Sequence, residues 1–296
     1  MHVLITGGTG FIGTPLTREL LDEGHEVTVL TRQAREPQGA LRFVRNLEEI
    51  DDDAQIDAVI NLAGASLAER RWSAAYKREI LSSRLETTRA VLQLLQRLAT
   101  TPAVLLNASA IGYYGSHGDE RLAEDAESNP GFSQDLCQQW ETLALQAGAL
   151  GVRVCLLRLG VVLDSGGGAF VQMAQPFRMG IANWMGHGRQ WLSWVHRRDV
   201  IAAIVFLLQQ EGLSGPFNLT APEAVTSREF CAAMKRHTRT FITAPVPGFA
   251  MRLLVGEMAD ELLLQGQRVI PAALEQAGFT FSYPDIDSAL ADILDN

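Results

Sequence analysis

Cysteine and histidine are scarce in this sequence, and neither has the spacing of a metal site. The 296 residues include three cysteines, Cys137, Cys155 and Cys231, which lie far apart in the chain. Their number and spacing fit neither a disulfide framework nor a zinc cluster, so we expect free thiols in a reducing compartment. The six histidines contain no H-x-x-x-H pair. We therefore predict no metal.

Long apolar runs and an excess of positive charge are also missing. The longest apolar run, Val200 to Leu208, is far shorter than the roughly 20 residues that a membrane-spanning helix needs. No secretory leader is recognisable, because glycines follow the short apolar run Val3–Ile5 almost at once. The net charge of −9 argues against a general nucleic-acid or anionic-membrane surface. We expect a cytoplasmic protein that binds neither nucleic acid nor membranes.

What the sequence does have is a dense group of glycines after its first apolar run. The chain begins M-H-V-L-I-T-G-G-T-G-F-I-G, and the residues that follow have helical spacing. A strand, a glycine turn and a helix in this order form a dinucleotide-binding unit, in which the glycines let the backbone approach the pyrophosphate. The N-terminus of the helix then offers free N–H groups to the phosphates. We predict that the cofactor is bound here by Gly7, Thr9, Gly10, Phe11, Ile12 and Gly13.

The end of the second predicted strand indicates which dinucleotide is bound. This strand covers Glu26–Leu30, and Thr31 and Arg32 follow it. An acidic residue here would bind the ribose 2′-hydroxyl of NAD, whereas a guanidinium suits the 2′-phosphate of NADP. Because Arg32 stands here and no acid does, we predict NADP. The alternative is that Arg32 is an ordinary solvated arginine.

Strand and helix patterns alternate along most of the chain, which implies a parallel, doubly wound sheet. Further strands are predicted at Leu41–Val44, Ala58–Leu62, Ala103–Leu106, Val152–Leu159 and Pro216–Leu219. Helices are predicted at Ser73–Ala99, with a break near Ser82 and Ser83, and at Phe132–Leu150 and Asp199–Leu208. We predict an α/β Rossmann domain over residues 1–220, with 166–193 contributing to the cleft, and a small, mostly helical substrate lobe over 221–296.

Five motifs resemble those of the extended short-chain dehydrogenase/reductases. They are T-G-G-T-G-F-I-G at Thr6–Gly13, N-L-A-G at Asn61–Gly64, N-A-S-A-I-G-Y-Y-G at Asn107–Gly115, L-R-L-G-V-V-L at Leu157–Leu163 and W-V-H-R-R-D-V at Trp194–Val200. The stretch Arg70–Arg84 and the pair Trp140-Glu141 resemble an atypical subgroup of nucleoside-diphosphate-sugar epimerase-like proteins. The resemblance spans essentially the whole chain. It implies a Rossmann domain, a smaller C-terminal lobe and a small-molecule substrate in the cleft between them.

The resemblance also implies roles for residues outside the glycine turn. Thr31 would lie at the adenosine phosphate beside the arginine, and Leu62 and Ala63 would line the ribose and adenine side. Glu79 and Arg84, on the long predicted helix, would face the cofactor cleft. Arg84 would be either a second phosphate ligand or a solvated arginine.

The catalytic pair of this superfamily is missing. Its members use Tyr-x-x-x-Lys, in which the tyrosine exchanges a proton with the substrate oxygen and the lysine lowers the pKa of that tyrosine. No tyrosine here has a lysine four residues later. If Glu141 is the glutamate that follows the motif in the superfamily, Ser133 and Cys137 occupy the two positions. Neither a serine hydroxyl nor a thiol supplies the same chemistry.

The candidate catalytic residues are therefore Ser109, Tyr113 and Tyr114. Ser109 matches the upstream serine of the superfamily, and the two tyrosines, just beyond it, are the nearest substitute acids. The alternative is that both tyrosines are packing residues.

Three functions remain open on the sequence. The first is an NADP(H)-dependent oxidoreductase or epimerase of unknown substrate with a rearranged acid. The second is a protein that binds NADP(H) without turnover and reports redox state to a partner, and the third is a scaffold with a vestigial glycine motif. Extended members of the superfamily often pair through two long helices, so Arg84–Ala99 and Phe132–Leu150 could form a homodimer or serve only the core of one chain.

Overall fold

The fold is that of a computed structural model, and the structure describes residues 1–295. Its strands are β1 (His2–Thr6), β2 (Glu26–Leu30), β3 (Leu41–Val44), β4 (Ala58–Asn61), β5 (Val104–Ala110), β6 (Arg121–Leu122), β7 (Arg153–Leu159), β8 (Val161–Leu163), β9 (Ile181–Met185), β10 (Trp191–Leu192), β11 (Trp194–His196), β12 (Gly215–Leu219), β13 (Val225–Thr226), β14 (Ile242–Val246) and β15 (Arg268–Val269). Its α-helices are α1 (Gly13–Asp22), α2 (Ala74–Arg97), α3 (Phe132–Ala144), α4 (Gly168–Arg178), α5 (Arg197–Gln209), α6 (Ser227–His237), α7 (Gly248–Val255), α8 (Ala272–Gln276) and α9 (Ile286–Asp295). Short 3-10 helices lie at Leu47–Glu49, Ile111–Tyr114 and Leu145–Leu150, and a π-helical turn lies at Ala259–Leu263.

Within residues 1–295, seven strands form one parallel sheet in the order β12-β7-β5-β4-β1-β2-β3. Side chains alternate across each strand, so Val3 and Ile5 of β1 pack against α1 and α5 on one face. Leu4 packs against α2 on the other face. Because both faces are covered, the strands are continuous apolar runs. This confirms the predicted doubly wound Rossmann fold.

The predicted strands and helices are present, with shifted ends and two corrections. Helix α2 is continuous, whereas a break near Ser82 and Ser83 was expected. The hydroxyls of these serines donate to carbonyl oxygens one turn earlier, at 3.4 and 3.0 Å, so they are satisfied inside the helix. The helix expected over Phe132–Leu150 is α-helical to Ala144 and continues as a 3-10 helix.

A second core lies outside the Rossmann sheet. It joins α4, α6 and α9 with the strands between residues 161 and 196, and its largest members include Phe170, Phe177, Trp194 and Phe230. The region after residue 221 is mostly helical, as expected, and it also carries three short strands that pair back: β13 with β10, β14 with β9, and β15 with β6. The predicted boundary at residue 220 stays a prediction. Among the helices of residues 1–295, none is long and apolar enough to cross a bilayer.

The apolar residues of the two long helices face the chain's own core. Val91, Leu92 and Leu95 of α2 pack beneath the sheet, and the outward positions Glu86 and Arg89 are exposed and polar. A homodimer through these two helices stays a prediction.

Candidate functional site

The glycine turn joins β1 to α1 at the carboxyl edge of the sheet. Gly7 has a φ of 72°, and a Cβ on it would lie 2.9 Å from the carbonyl carbon and oxygen of Leu62. A Cβ on Gly13 would lie 2.1 Å from the carbonyl oxygen of Gly7. The N–H of Gly10 donates to that same oxygen at 2.9 Å. Glycine is therefore required at Gly7 and Gly13, and the turn lies directly against the backbone of Leu62 and Ala63.

The first turn of α1 is free to bind an anion. The residue before the helix is Ile12, and no side chain caps the helix N-terminus. Thr9 and Gly10 are exposed, whereas Phe11 and Ile12 are half-buried. The N–H of Thr14 donates to the carbonyl oxygen of Gly10 at 3.0 Å, and Pro15 has no N–H. The N–H of Gly13 and the helix dipole therefore favour a phosphate at this place.

Arg32 leaves the sheet at the same edge. Strands β1 and β2 pair in register, with Thr6 opposite Leu30. Thr31 is buried, and its N–H donates to the carbonyl oxygen of Val44 at 2.9 Å. Arg32 is exposed, and in the described chain its guanidinium has no hydrogen bond or ion pair. Its position and its free charge are those that a 2′-phosphate would need.

A buried set of polar side chains fixes the loop after β4, and sequence reasoning missed it. Asn61 donates to Thr88 at 2.9 Å and to Asn107 at 2.6 Å. Thr6 donates to Asn61 at 2.5 Å and accepts from the N–H of Ala63 at 3.2 Å. The signal in the sequence was a polar residue at the end of three neighbouring apolar strands. These bonds hold Ala63 against the glycine turn.

Arg84, on α2, contacts the same loop. Its side chain is buried and donates to the carbonyl oxygens of Ala65 and Ile80 at 3.1 and 3.0 Å. It also stacks on Trp140, at 5.2 Å from the ring centroid. Burial lowers the pKa of Arg84. Its contacts here are structural, and its role as a phosphate ligand stays a prediction.

Glu79 lies one turn earlier on the exposed side of α2. Its carboxylate is 3.6 Å from the guanidinium of Arg70, and both side chains are largely solvated. Its predicted cofactor contact stays a prediction.

A buried ion pair lies under the end of β5. Arg158 donates to the two carboxylate oxygens of Glu141, both at 2.9 Å. The side chains are only 4% and 6% exposed. Ser109 donates to the same carboxylate at 2.6 Å and is itself buried. Its hydroxyl is therefore directed into the core, and its catalytic role stays a prediction.

The structure separates the two tyrosines. Tyr114 is fully buried, donates to Asn218 at 2.7 Å and accepts from Arg158 at 2.9 Å. Burial raises the pKa of Tyr114 to about 12. Tyr113 is half-buried, and its ring centroid lies 3.5 Å from the guanidinium carbon of Arg158. Within residues 1–295 its hydroxyl has no protein partner, so of the two tyrosines only Tyr113 has an unbonded hydroxyl.

The two positions that hold the catalytic Tyr and Lys in the superfamily are buried in this protein. Ser133 and Cys137 are buried on α3. A Cβ on Gly112 would lie 3.0 Å from the Cβ of Ser133 and 3.8 Å from the sulfur of Cys137. Burial raises the pKa of Cys137 to about 12, so its thiol is neutral near pH 7. Nothing at these two positions can act as a phenol or as a cation.

A glycine turn, an open helix start and a free arginine at the carboxyl edge of a Rossmann sheet define a dinucleotide-binding protein. In the part of the chain that the structure describes, no group of three or more metal-ligating side chains is arranged to hold a metal. Residues 3–219 match the model of the NAD dependent epimerase/dehydratase family. The chain therefore belongs to that family. Residues 246–293 match a second model, a domain of unknown function (DUF1731).

Known proteins are similar over the whole chain. Epimerase family protein Mb2239 of Mycobacterium bovis is 40% identical over 290 residues, 97% of this chain and 96% of the relative. The crystal structure of human epimerase family protein SDR39U1 with NADPH has a TM-score of 0.89 and 33% identity, and covers 100% of both chains. MoeE5 in complex with UDP-glucuronic acid and NAD has a TM-score of 0.79 over 100% of this chain and 98% of that chain; at 23% identity it shows the fold alone. The resemblance to the extended short-chain dehydrogenase/reductases is confirmed.

Proposed function

We propose that the protein is an NADP(H)-dependent oxidoreductase or epimerase whose small-molecule substrate binds between the Rossmann sheet and the C-terminal lobe. The observation that carries the choice of NADP(H) is Arg32, an exposed guanidinium without a partner in the described chain, beside the glycine turn. The NADPH in the SDR39U1 structure supports the same choice.

The residues present fit this cofactor. The glycine turn and the first turn of α1 would hold the pyrophosphate, and Arg32 would pair with the 2′-phosphate. Leu62 and Ala63 would line the adenosine side, because their backbone lies against Gly7. When bound, NADPH supplies a hydride to the substrate.

Nucleotide titration of an arginine variant tests the cofactor assignment. Arg32→Ala should weaken NADPH binding about 10- to 150-fold, because a charge-assisted hydrogen bond contributes about 1.5–3 kcal/mol. NADH binding should stay nearly unchanged, since NADH has no 2′-phosphate. The matched control is Arg35→Ala, which removes a nearby arginine that stacks on Phe43. An equal loss for both nucleotides, or no loss at all, would show that Arg32 does not bind the 2′-phosphate.

For the proton, we infer that Tyr113 is the donor. Its hydroxyl has no protein partner in residues 1–295, and its ring is held against Arg158. In a reduction, the hydride would reach a substrate carbonyl carbon while the Tyr113 proton passes to the carbonyl oxygen. Tyr114 is less suited, because its hydroxyl is buried between Asn218 and Arg158.

Substitution of each tyrosine tests this assignment. Fractions of cell metabolites are added to the NADPH-loaded protein, and the nicotinamide absorbance identifies a fraction that oxidises NADPH. With that fraction, Tyr113→Phe should lower turnover about 10²- to 10⁴-fold and leave NADPH affinity unchanged. Tyr114→Phe is the matched control and should keep its turnover per folded molecule. Full turnover by Tyr113→Phe would remove Tyr113 from the mechanism.

A second candidate function is a sensor that binds NADP(H) without turnover. The observation that favours it is the packing at the two positions of the missing Tyr-x-x-x-Lys pair, where Gly112 lies against Ser133 and Cys137. It predicts tight NADPH binding, no oxidation by any metabolite fraction, and a protein partner that distinguishes NADPH from NADP⁺. A partner that binds equally with both nucleotides would contradict it.

A further inference from the structure

Two short parallel strands outside the main sheet end beside the glycine turn. Strand β8 ends at Leu163 and β11 ends at His196, and these two residues are paired in register. The next residue is charged in both cases: Asp164 follows β8, and Arg197 follows β11 as the first residue of α5. Because parallel strands run in the same direction, the two charged residues follow at the same end of the pair. A guanidinium nitrogen of Arg197 lies 2.9 Å from a carboxylate oxygen of Asp164.

Arg197 also contacts Phe11 of the glycine turn. Its guanidinium carbon lies 4.9 Å from the centroid of the Phe11 ring, and a guanidinium nitrogen donates to the Phe11 carbonyl oxygen at 3.5 Å. The side chains of Arg197 and Asp164 are only 24% and 14% exposed. A cation over an aromatic ring is attracted to it, more strongly where water is partly excluded. Arg197 therefore holds both the ring and the carbonyl group of Phe11.

The segment between β8 and α4 forms a second contact with the Phe11 ring. A Cβ on Gly167 or on Gly168 would lie 2.9 Å from carbon atoms of this ring, so the ring lies directly against their backbone. The carboxylate of Asp164 also accepts from the N–H of Gly166 at 2.6 Å, which ties the same segment to the ion pair. One carboxylate thus orients both groups that hold Phe11.

The backbone of Phe11 belongs to the predicted pyrophosphate site. Phe11 lies between Gly10 and the start of α1, and in residues 1–295 the N–H groups of Phe11 and Ile12 donate to no protein oxygen. Successive N–H groups of a turn bind a phosphate when they point at the same place. Because a peptide group is planar and trans, the N–H of Ile12 points away from the Phe11 carbonyl oxygen that Arg197 holds. The contact with Arg197 therefore fixes the direction of a phosphate-binding N–H group.

We propose that Arg197 is a positioning residue for the dinucleotide, because it aims the N–H of Ile12 at the pyrophosphate. Asp164 in turn orients Arg197. This inference rests on the proposed function, since it needs a dinucleotide in the site. Arg197 acts through Phe11 on the pyrophosphate, which NADPH and NADH share, so its effect should be equal for both nucleotides. Arg32, in contrast, should distinguish them.

Calorimetric titration of the full chain with three nucleotides tests the inference. Arg197→Gln should weaken the binding of NADPH and of NADH by the same factor, about 2- to 30-fold, which is the range of a cation–π contact. Binding of adenosine 2′-monophosphate, which has no pyrophosphate, should stay nearly unchanged. A general loss of structure would weaken all three nucleotides. The matched control is Arg198→Gln, which should leave every affinity unchanged, because the Arg198 side chain pairs with Asp292.

A second variant separates positioning from direct attraction between Arg197 and the phosphates. Phe11→Leu removes the ring and leaves the ion pair in place, and it should weaken NADPH binding within the same range. If Arg197 acts through Phe11, the exchange Arg197→Gln should cost little further affinity once residue 11 is leucine. If Arg197 attracts the phosphates directly, the two losses should multiply. Far-ultraviolet circular dichroism should be unchanged in all variants, and Phe11→Leu alone still tests the inference if Arg197→Gln does not fold.

Three results would overturn the inference and leave the proposed function standing. They are an unchanged NADPH affinity in Arg197→Gln, an equal loss for adenosine 2′-monophosphate, and losses that multiply in the double variant Phe11→Leu/Arg197→Gln. An original protein that binds neither NADPH nor NADH would overturn the proposed function itself, and the positioning role of Arg197 with it.

Discussion

The buried pair of Glu141 and Arg158 gives the sharpest stability prediction. Both side chains are almost inaccessible to water, and two N–H···O bonds of 2.9 Å join them. Removal of either partner leaves the other charge buried without its ion-pair partner, although Ser109 still donates to Glu141 and Tyr114 still accepts from Arg158. Arg158→Met is the main perturbation, since methionine keeps the length and loses the charge. Glu141→Leu is its counterpart.

The expected size follows from measured losses at other buried pairs. Breaking such a pair from one side costs about 3–5 kcal/mol. The unfolding entropy of a chain of 296 residues at about 2.1 cal/mol/K per residue is about 0.6 kcal/mol/K. The melting temperature of Arg158→Met should therefore fall by about 5–8 °C.

The assay is urea unfolding and thermal melting of the single and double variants. The double variant Arg158→Met/Glu141→Leu should lose less free energy of unfolding than the sum of the single variants, by about 1–3 kcal/mol, because it leaves no isolated charge. Arg153→Met is a matched control on the same strand. Its guanidinium donates to carbonyl oxygens and a thiol, not to a carboxylate, so its loss should be smaller.

Two results would refute this reasoning. One is a loss of less than about 1 kcal/mol for Arg158→Met, which is the range of an exposed pair. The other is strict additivity in the double variant, which would mean that the two side chains do not interact in solution.

Three further predictions concern other parts of the chain. Gly13→Ala should lower the free energy of unfolding in urea by at least about 2 kcal/mol and abolish NADPH binding in calorimetry. The reason is that the alanine Cβ would lie 2.1 Å from the carbonyl oxygen of Gly7. Gly148→Ala is the neutral control, because a Cβ at Gly148 meets open space. Burial lowers the pKa of His196 below its usual 6.5. As the pH falls, the imidazole of His196 is therefore protonated in the unfolded chain before it is protonated in the folded chain. Stability should then decrease below about pH 6.5, and urea unfolding of His196→Gln should show a shallower decrease; equal slopes would contradict this. Glu261→Ala removes a carboxylate that accepts two N–H bonds at the start of α3 and should lower the free energy of unfolding by about 0.5–2 kcal/mol; an unchanged urea midpoint would show that this cap contributes nothing.

The sheet was predictable because its determinants are local. Each central strand is a short apolar run followed by small or polar residues, and β1 continues directly into the glycine turn. Such runs are typical of strands buried on both faces. The break expected in α2 was wrong, because Ser82 and Ser83 bond back to the helix carbonyls, which a propensity argument cannot foresee.

The site was predictable only where the backbone determines it. Gly7 and Gly13 are required by close contacts within the turn and with the neighbouring loop, and a glycine pattern reports such contacts directly. The direction in which a side chain points is not determined by the local backbone in the same way. Ser109 lies on the face of β5 that meets Glu141, and Arg84 lies beneath Gly64. Both directions depend on packing between elements that are distant in sequence, so motif position alone could not give them.

The most direct test of the account is a crystal structure of the protein with NADPH, and the distance to measure joins the Arg32 guanidinium to the 2′-phosphate. The account predicts about 3 Å, the length of a charge-assisted hydrogen bond, with the pyrophosphate over the first turn of α1. A 2′-phosphate in solvent away from Arg32, or a nucleotide bound elsewhere, would contradict the proposed NADP(H) site.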